Sequence, residues 1–358
     1  MAKARKPTIV GRHLLRALLR ISRIYWESPE RTWGLLLLAL TIALEFGTVY
    51  ANFGLADGER RIMDALEQRQ GVLFFTATAA YLGVMLGFVL VSTFRIYVRQ
   101  ALEINWRRGL TGDYLERWIS GHAYCQTKLH PGVVDNPDQR IAEDVRDFVA
   151  SALGLSLSLL SAVATLVSFG GLLWTLSRSF PITVPGLLLW VALGYAGVST
   201  WVTHLVGRRL TPINFDRLRY EADFRYGLVR FRDNVEAVAL SRGESLERLG
   251  SVLRFRKVAE NWWQLIRAQR NLMLTTTGIG QVNGLVPLLA AAPAYIAGHL
   301  SLGSLAQIRF AYGQVSGALV WFVNAYQEIA RWRASIERLA DARVRDAALG
   351  TRVRHHGT

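Results

Sequence analysis

The chain has 358 residues, of which 51% are apolar types and 19% are charged types. Soluble domains carry about 25% charged residues, so this chain is short of charge, and its mean hydropathy is +0.20. Its 42 Lys and Arg residues outnumber 27 Asp and Glu residues, which gives a net charge of +15. The high apolar content excludes intrinsic disorder, and the lone cysteine, Cys125, excludes a disulfide-stapled secreted domain.

Residues 1–31 predict a basic amphipathic helix ahead of the first long apolar run. Arginines such as Arg16, Arg20 and Arg23 recur at helical spacing, opposite Leu18 and other apolar side chains. This pattern is typical of a helix that lies in the plane of a membrane surface. A DNA-binding basic helix has a similar pattern, but a membrane span follows within ten residues here.

Six apolar stretches follow, each long enough to cross about 30 Å of hydrocarbon as a helix. Buried core helices of a large soluble protein are the alternative, but the rest of the chain is too short to cover six of them. Pro181 and Pro185 suit the start of the fourth span, and residues 298–303 allow only a tight turn before the sixth. The stretches are Trp33–Phe53, Val72–Phe94, Ala150–Leu176, Ile182–Val206, Leu272–Leu300 and Leu302–Ala330.

The positions of Lys and Arg predict the orientation of these spans, because cytoplasmic loops carry an excess of them. The two termini and the two long connections hold 37, the three short loops hold four, and Arg309 lies inside a span. We therefore expect both termini and both long connections in the cytoplasm, with the chain in the inner membrane. The basic excess then lies beside anionic lipid, and no nucleic-acid partner is expected.

The two long connections, Arg95–Val149 and Gly207–Asn271, favour helix and contain few breakers. They predict two helical hairpins that project about 40–50 Å beyond the bilayer, each with a turn at its tip. In the first, an N-cap and a proline at the first helical position indicate a helix start. The predicted tip residues are Asn136, Pro137, Asp138 and Gln139 in the first hairpin, and Arg242, Gly243 and Glu244 in the second.

Three segments carry a resemblance to a known family. They read NPDQRIAEDVRDF from Asn136, EADFRYGLVRFRDNVEAVALSRGE from Glu221 and YGQVSGALVWFVNAYQEIARWRASIERL from Tyr312. The chain resembles the SbmA/BacA-type peptide transporters and, more broadly, the transmembrane domain of exporter-fold ABC transporters over residues 20–340. This resemblance implies an all-α membrane protein with an elbow (1–31), a six-helix domain (32–340) and a tail (341–358).

The sequence contains no phosphate-binding loop of the form G-x-x-x-x-G-K-[ST], and no Gly-Lys pair. We therefore expect no ATPase activity from these residues, no cofactor of their own, and ATP only through a partner. Two energy sources stay open: an ion gradient, as the resemblance to SbmA/BacA proteins implies, or an ATPase carried elsewhere. The sequence predicts no metal site either, because its His and Cys residues lack zinc-ligand spacing.

Charge within an apolar stretch is costly and usually functional, and Glu45 and Arg309 are the two candidates that we consider. Glu45 lies about two-thirds of the way along the first span, and Arg309 about two turns below the outer end of the sixth. Their similar depth predicts a shared cavity and an ion pair. The resemblance implies that an acidic group near Glu45 couples cargo movement to protons, and a static pair that fixes helix packing is the alternative.

Further polar residues extend this predicted cavity. Gln307 and Gln314 are seven apart and so share a helix face. Hydrogen bonds between helices, worth about 1 kcal/mol each, are the alternative to a cavity lining. The candidates are Gln281, Asn283, Gln307 and Gln314 in the spans, with Glu143 and Glu221 on the cytoplasmic helices.

The resemblance implies that Glu143 and Glu221 belong to a ladder of carboxylates below the cavity. Coupled carboxylates of this kind suit proton handling, but nearby arginines such as Arg140 and Arg225 favour ordinary ion pairs. The resemblance therefore implies a homodimeric transporter of peptides or bulky hydrophilic cargo. The alternatives are a permease half that works with a separate ATP-binding subunit, or a membrane scaffold that transports nothing.

Overall fold

The computed structural model describes residues 11–27, 31–119, 137–179 and 185–355. These residues are almost entirely helical and include no strand, which confirms the all-α prediction. A helical turn (Pro137–Gln139) and a π-helical segment (Arg140–Asp144) lead into the fourth long helix, and a 3-10 turn (Ser177–Ser179) follows it. The helices are α1 (Gly11–Trp26), α2 (Arg31–Glu67), α3 (Gly71–Ile119), α4 (Val145–Leu176), α5 (Leu187–Gly207), α6 (Leu210–Asp233), α7 (Val235–Ser241), α8 (Glu244–Ile296) and α9 (Leu302–His355).

Five helical stretches in the described residues are long and apolar enough to cross a membrane. Their apolar side chains are largely uncovered within the chain: Phe75 is 72% exposed and Phe94 is 57% exposed. Apolar surface of this extent marks contact with lipid or with another protein. The sixth span, predicted within α9, is not among the five and stays a prediction. The five are Arg31–Glu67, Gly71–Ile119, Arg140–Leu176, Leu187–Asp233 and Glu244–Ile296.

The second helix extends well beyond the predicted span. Residues 54–67, expected to belong to an external loop, continue α2 as helix, and only residues 68–70 remain for the turn into α3. Asp57 accepts from Arg60 at 2.9 Å and from Arg61 at 2.8 Å, so ion pairs one turn apart support the extension. The helix is therefore about 55 Å long, more than the hydrocarbon layer requires.

The chain forms two compact units, and the first comprises residues 1–186 and 294–358. Within it the predicted amphipathic helix is present as α1, and its apolar face packs on the helices of this unit. Ile21 and Tyr25 are fully buried in a cluster with Trp106 and Phe148, whereas Arg20 points outward. Aromatic stacking therefore anchors the elbow, with the rings of Tyr25 and Trp106 centred 6.1 Å apart.

The second unit comprises residues 187–293, and α6 and α8 form its hairpin. The rings of Phe224 and Phe255 are 5.5 Å apart, and Arg230 lies 3.5 Å from Glu247 nearer the tip. The predicted interruption is confirmed, because α7 ends at Ser241 and α8 begins at Glu244.

The helix of this connection is also interrupted at two further places, residues 208–209 and Asn234. At the second, Asn234 leaves helical geometry with φ −122° and ψ 26°. Its side chain donates to the Arg230 carbonyl at 2.7 Å. A short amide side chain that bonds to the backbone in this way competes with helix continuation.

Candidate functional site

The first unit contains a cavity of about 780 Å³ between α3, α4 and α9. A second lobe of about 310 Å³ reaches toward α2. The two lobes share Arg99, Ser158 and Trp321, so they form one continuous cleft. The larger volume falls within the range of about 300–1,000 Å³ that is usual for small-molecule sites.

Small side chains on α4 keep one wall of this cleft open. Ser151, Gly154 and Ser158 recur at helical spacing along the wall, and Thr165 continues it. The Ser158 hydroxyl donates to the Gly154 carbonyl at 2.5 Å, so the hydroxyl has its hydrogen-bond partner within α4 itself. This wall of the cleft therefore consists of small side chains, several of which carry hydroxyl groups.

The facing wall is α9, which runs antiparallel to α4. The rings of Phe169 and Phe310 are 6.1 Å apart at one end, and those of Phe148 and Trp332 are 6.4 Å apart at the other. This register places Gly154 opposite residues 325–328 of α9. One face of α9 lines the cleft with Gln314, Trp321, Ala325, Glu328, Ser335 and Arg338.

At the α2 side of the cleft, Glu45 is 3% exposed and pairs with Arg95 of α3. The Nη1 of Arg95 donates to both carboxylate oxygens, at 3.1 and 2.9 Å. The predicted pair between Glu45 and Arg309 is wrong, because Arg309 donates to Glu59 at 2.7 Å. Glu59 is fourteen residues after Glu45 on the extended α2, about 21 Å away along the helix axis.

At the opposite end, Asp144 and Arg338 connect the start of α4 to α9. The Asp144 side chain is 9% exposed, and its carboxylate lies 2.7 Å from the nearest Arg338 nitrogen. Arg338 also donates to the Ser335 hydroxyl at 3.2 Å. The hydrogen bond that the Arg338 guanidinium donates to Asp144 raises the pKa of Arg338, against the opposing effect of burial.

Between these two pairs, Arg99 points its guanidinium at α4. The Nη2 atom would lie 3.2 Å from a Cβ placed on Gly154. Among the residues that the structure describes, Arg99 makes no hydrogen bond or ion pair. The same holds for Glu328, whose side chain lines the same cleft.

The other predicted site residues lie in several places. Gln314 lines the cleft with Glu45, and Gln307 is buried at 5% exposure on the same helix. In the second unit, Gln281 is exposed on α8, Asn283 is half-buried there, and Glu221 is exposed on α6.

Near the predicted tips, Glu143 is exposed and accepts from Gln139 at 3.1 Å. Pro137, Asp138 and Gln139 form the helical turn that precedes the π-helical segment, and Asn136 lies outside the described residues. At the second tip, Arg242 adopts the left-handed conformation with φ 53°, followed by Gly243 and then Glu244 at the start of α8.

A comparison with protein families identifies the family to which this chain belongs. The family model described as ABC transporter transmembrane region 2 matches residues 21–296. The chain belongs to this family. It is an integral membrane protein of the ABC transporter type.

Relatives within ABC transporters include proteins from bacteria and a plant. The chain is 36% identical to an ABC transporter ATP-binding protein of Synechocystis over 86% of its length and 45% of the relative. It is 33% identical to the inner membrane ABC transporter ATP-binding protein YddA of Escherichia coli, over 92% of this chain and 61% of that protein. It is 30% identical to the chloroplastic ABC transporter D family member 2 of Arabidopsis thaliana, over 90% of this chain and 44% of that protein. The chain thus spans about half the length of the relatives that it matches, and its place among SbmA/BacA-type proteins stays a prediction.

Sequence reasoning missed five charged residues of the cleft: Arg95, Arg99, Asp147, Glu328 and Arg338. The first two follow the predicted end of the second span at Phe94, so their charges were assigned to the cytoplasmic connection. Their spacing of four residues, on the helix that continues from an apolar span, is the signal that places both on one face.

Proposed function

We propose that the chain is the membrane part of a transporter that moves peptides or similarly bulky hydrophilic molecules through the cleft. The observation that carries this proposal is a cleft between membrane helices whose lining includes charged and polar side chains. Arg99, Ser158 and Gln314 all line it. Polar and charged side chains within membrane helices usually face a water-filled pathway, because exposure to lipid is costly.

Two copies of the chain would enclose the pathway. The described cleft is built by helices of one unit of one chain, and a twofold partner supplies a matching wall in a closed, symmetric assembly. The mass of the purified particle in detergent, measured by light scattering, tests this directly. A monomeric mass in a preparation that transports would contradict it.

Energy would come from ATP hydrolysis by an ATP-binding domain outside these residues. The relatives of this chain are named as ATP-binding proteins, and these 358 residues contain no phosphate-binding loop. The second hairpin offers a docking point, because Leu240 and Leu246 flank its tip at 88% and 72% exposure. Arg242, Gly243 and Glu244 lie between them, and the first hairpin's Asn136–Gln139 segment would form the companion contact.

A proton gradient is the second candidate energy source, and the observation in its favour is Glu45. This carboxylate is 3% exposed and lines the cleft. Its ion pair with Arg95 favours a role in helix packing, because a proton carrier must leave that pair during each cycle. Glu143 and Glu221 would extend such a relay, although both are exposed.

Uptake of radiolabelled tetra-alanine into proteoliposomes tests the function and separates the energy sources. We expect uptake with the ATP-binding domain and ATP present, and none with an imposed pH gradient alone. Uptake under the gradient alone, lost in Glu45→Gln, would support the proton mechanism instead. No uptake of tetra-alanine or of longer peptides under either condition would leave a membrane scaffold and overturn the proposal.

A further inference from the structure

The cleft holds two opposite charges that do not neutralise each other. Arg99 lies on α3 and Glu328 on α9, and neither has an ion pair with any side chain that the structure describes. By contrast, the other arginines of the cleft are paired: Arg95 with Glu45 and Arg338 with Asp144. The remaining acidic residue of the lining, Asp147, pairs with Arg146 at 2.9 Å.

Arg99 and Glu328 lie at the same height in the cleft. Gly154, which the Arg99 guanidinium approaches, is ten residues above Asp144 on α4. Glu328 is ten residues from Arg338 on the antiparallel α9, and Asp144 and Arg338 are bonded to each other. Both positions are therefore about 15 Å above that ion pair. Opposite charges at one height on different walls face the space between them.

We propose that Arg99 and Glu328 form a two-ended recognition site for a zwitterionic cargo. Arg99 binds the carboxylate end and Glu328 binds the ammonium end. A guanidinium presents a planar fork of donors that matches a carboxylate, and the neutral sum of the cleft charges favours a zwitterion over a dianion. This inference rests on the proposed function, and it adds the residues and the charge pattern that select the cargo.

Gly154 has a specific part in this site. A Cβ at that position would lie 3.2 Å from Arg99 Nη2, so the absent side chain gives the guanidinium its room. Gly171 on the same helix provides a matched control, because nothing lies within 4 Å of its Cβ position. Alanine at 154 should shift the Arg99 guanidinium by a few tenths of an ångström, whereas alanine at 171 should leave it in place.

Equilibrium binding to the purified full chain in detergent tests the site without requiring transport. The probes are radiolabelled di-, tri- and tetra-alanine, each as the zwitterion, the C-terminal amide and the N-acetyl form. We expect the wild type to bind at least one zwitterion about tenfold more tightly than either blocked form, which corresponds to about 1.4 kcal/mol. Empty detergent micelles give the background.

The variants assign each end of the probe to one residue. Arg99→Gln should bind the zwitterion and the amide equally, yet still discriminate against the N-acetyl form. Glu328→Gln should bind the zwitterion and the N-acetyl form equally, yet still discriminate against the amide. Arg99→Lys should restore part of the preference for the carboxylate, and Gly154→Ala should reduce that preference while Gly171→Ala preserves it.

Equal binding of all three forms by the wild type, or no binding of any, would overturn the proposal. So would an equal loss of both preferences in Arg99→Gln, since that result indicates a general change in the cleft. Transport of a non-zwitterionic cargo together with absent zwitterion preference would overturn this site alone and leave the proposed function standing.

Discussion

Arg338 donates from its Nε to both carboxylate oxygens of Asp144, at 2.8 and 3.0 Å, and this contact joins α9 to the start of α4. The Asp144 side chain is 9% exposed, whereas that of Arg338 is 49% exposed. The negative charge of the buried Asp144 carboxylate is therefore neutralised by the more exposed Arg338 guanidinium. Arg338 lines the end of the cleft that lies farthest from Glu45.

Asp144→Asn should lower the thermal unfolding midpoint of the protein in detergent, because the amide removes the charged acceptor of Arg338. A hydrogen bond that involves a charged group contributes about 1.5–3 kcal/mol. Asp147→Asn is the control, since Asp147 and Arg146 are about half exposed and such surface pairs contribute about 0–1 kcal/mol. Equal shifts in both variants would contradict the assignment.

The effect of Asp144→Asn should not change between about pH 7 and about pH 9. Asp144 raises the pKa of Arg338 above its ordinary value in the folded state. A group whose folded pKa is raised contributes its stability fully below the unfolded pKa and loses it only at higher pH. For an arginine that loss lies in the strongly alkaline range, so a midpoint difference that shrinks by pH 9 would contradict this account.

Arg95→Gln should destabilise the protein more than Glu45→Gln does. Removing Arg95 leaves a carboxylate that is 3% exposed without its partner, which typically costs about 3–5 kcal/mol. Removing Glu45 leaves an arginine whose side chain is 31% exposed and can reach water. A double-mutant cycle read by thermal unfolding should place the double variant nearer the wild type than Arg95→Gln.

Arg309→Gln gives the matched comparison for this cycle. Its pair with Glu59 is more exposed, at 54% and 18% for the two side chains. The expected loss is at most about 1 kcal/mol. Additive effects at Glu45 and Arg95, or a larger loss at Arg309, would show that the pair across α2 and α3 is not the stabilising one.

The sequence predicts the helical class and the second hairpin tip because both depend on local signals. Long apolar runs decide the spans, and Arg242-Gly243 stops one helix before Glu244 starts the next. The length of α2 was missed because hydropathy falls after Phe53, whereas the helix continues to Glu67 through the poor helix formers Gly54, Asp57 and Gly58. Hydropathy reports the lipid boundary, not the end of a helix.

That single error also explains the wrong partner for Glu45. With the first span ended at Phe53, Glu45 and Arg309 appear equally deep, whereas the register of α2 against α9 places Arg309 beside Glu59. The register depends on contacts at the far end of α2, where Asp64 accepts from the backbone of Gly303 at 3.0 Å. Contacts between residues so distant in sequence cannot be predicted from spacing.

Gly303→Ala should disrupt the start of α9. A Cβ there would overlap the Arg60 carbonyl and the Asp64 carboxylate that caps the helix. Backbone cannot move aside cheaply, so we expect a loss of about 2 kcal/mol or more in unfolding free energy. Gly313→Ala on the same helix has nothing within 4 Å of the new methyl group and should be neutral or stabilising. A wild-type midpoint for Gly303→Ala would contradict the close approach of α2 and α9.

Cysteine labelling should place the second hairpin tip in the cytoplasm and the turn between α2 and α3 outside. Leu240→Cys and Gln68→Cys suit this measurement, because Leu240 is 88% exposed and Gln68 is exposed in the turn. In a Cys125→Ser background, a membrane-impermeant maleimide should label Gln68→Cys in intact cells and Leu240→Cys only in inside-out vesicles. The physical reason is that the predicted spans put 37 of the 42 basic residues on the same side as Leu240, and such an excess favours the cytoplasmic side. Labelling of Leu240→Cys from outside would reverse the orientation and remove the tip from reach of any cytoplasmic ATP-binding domain.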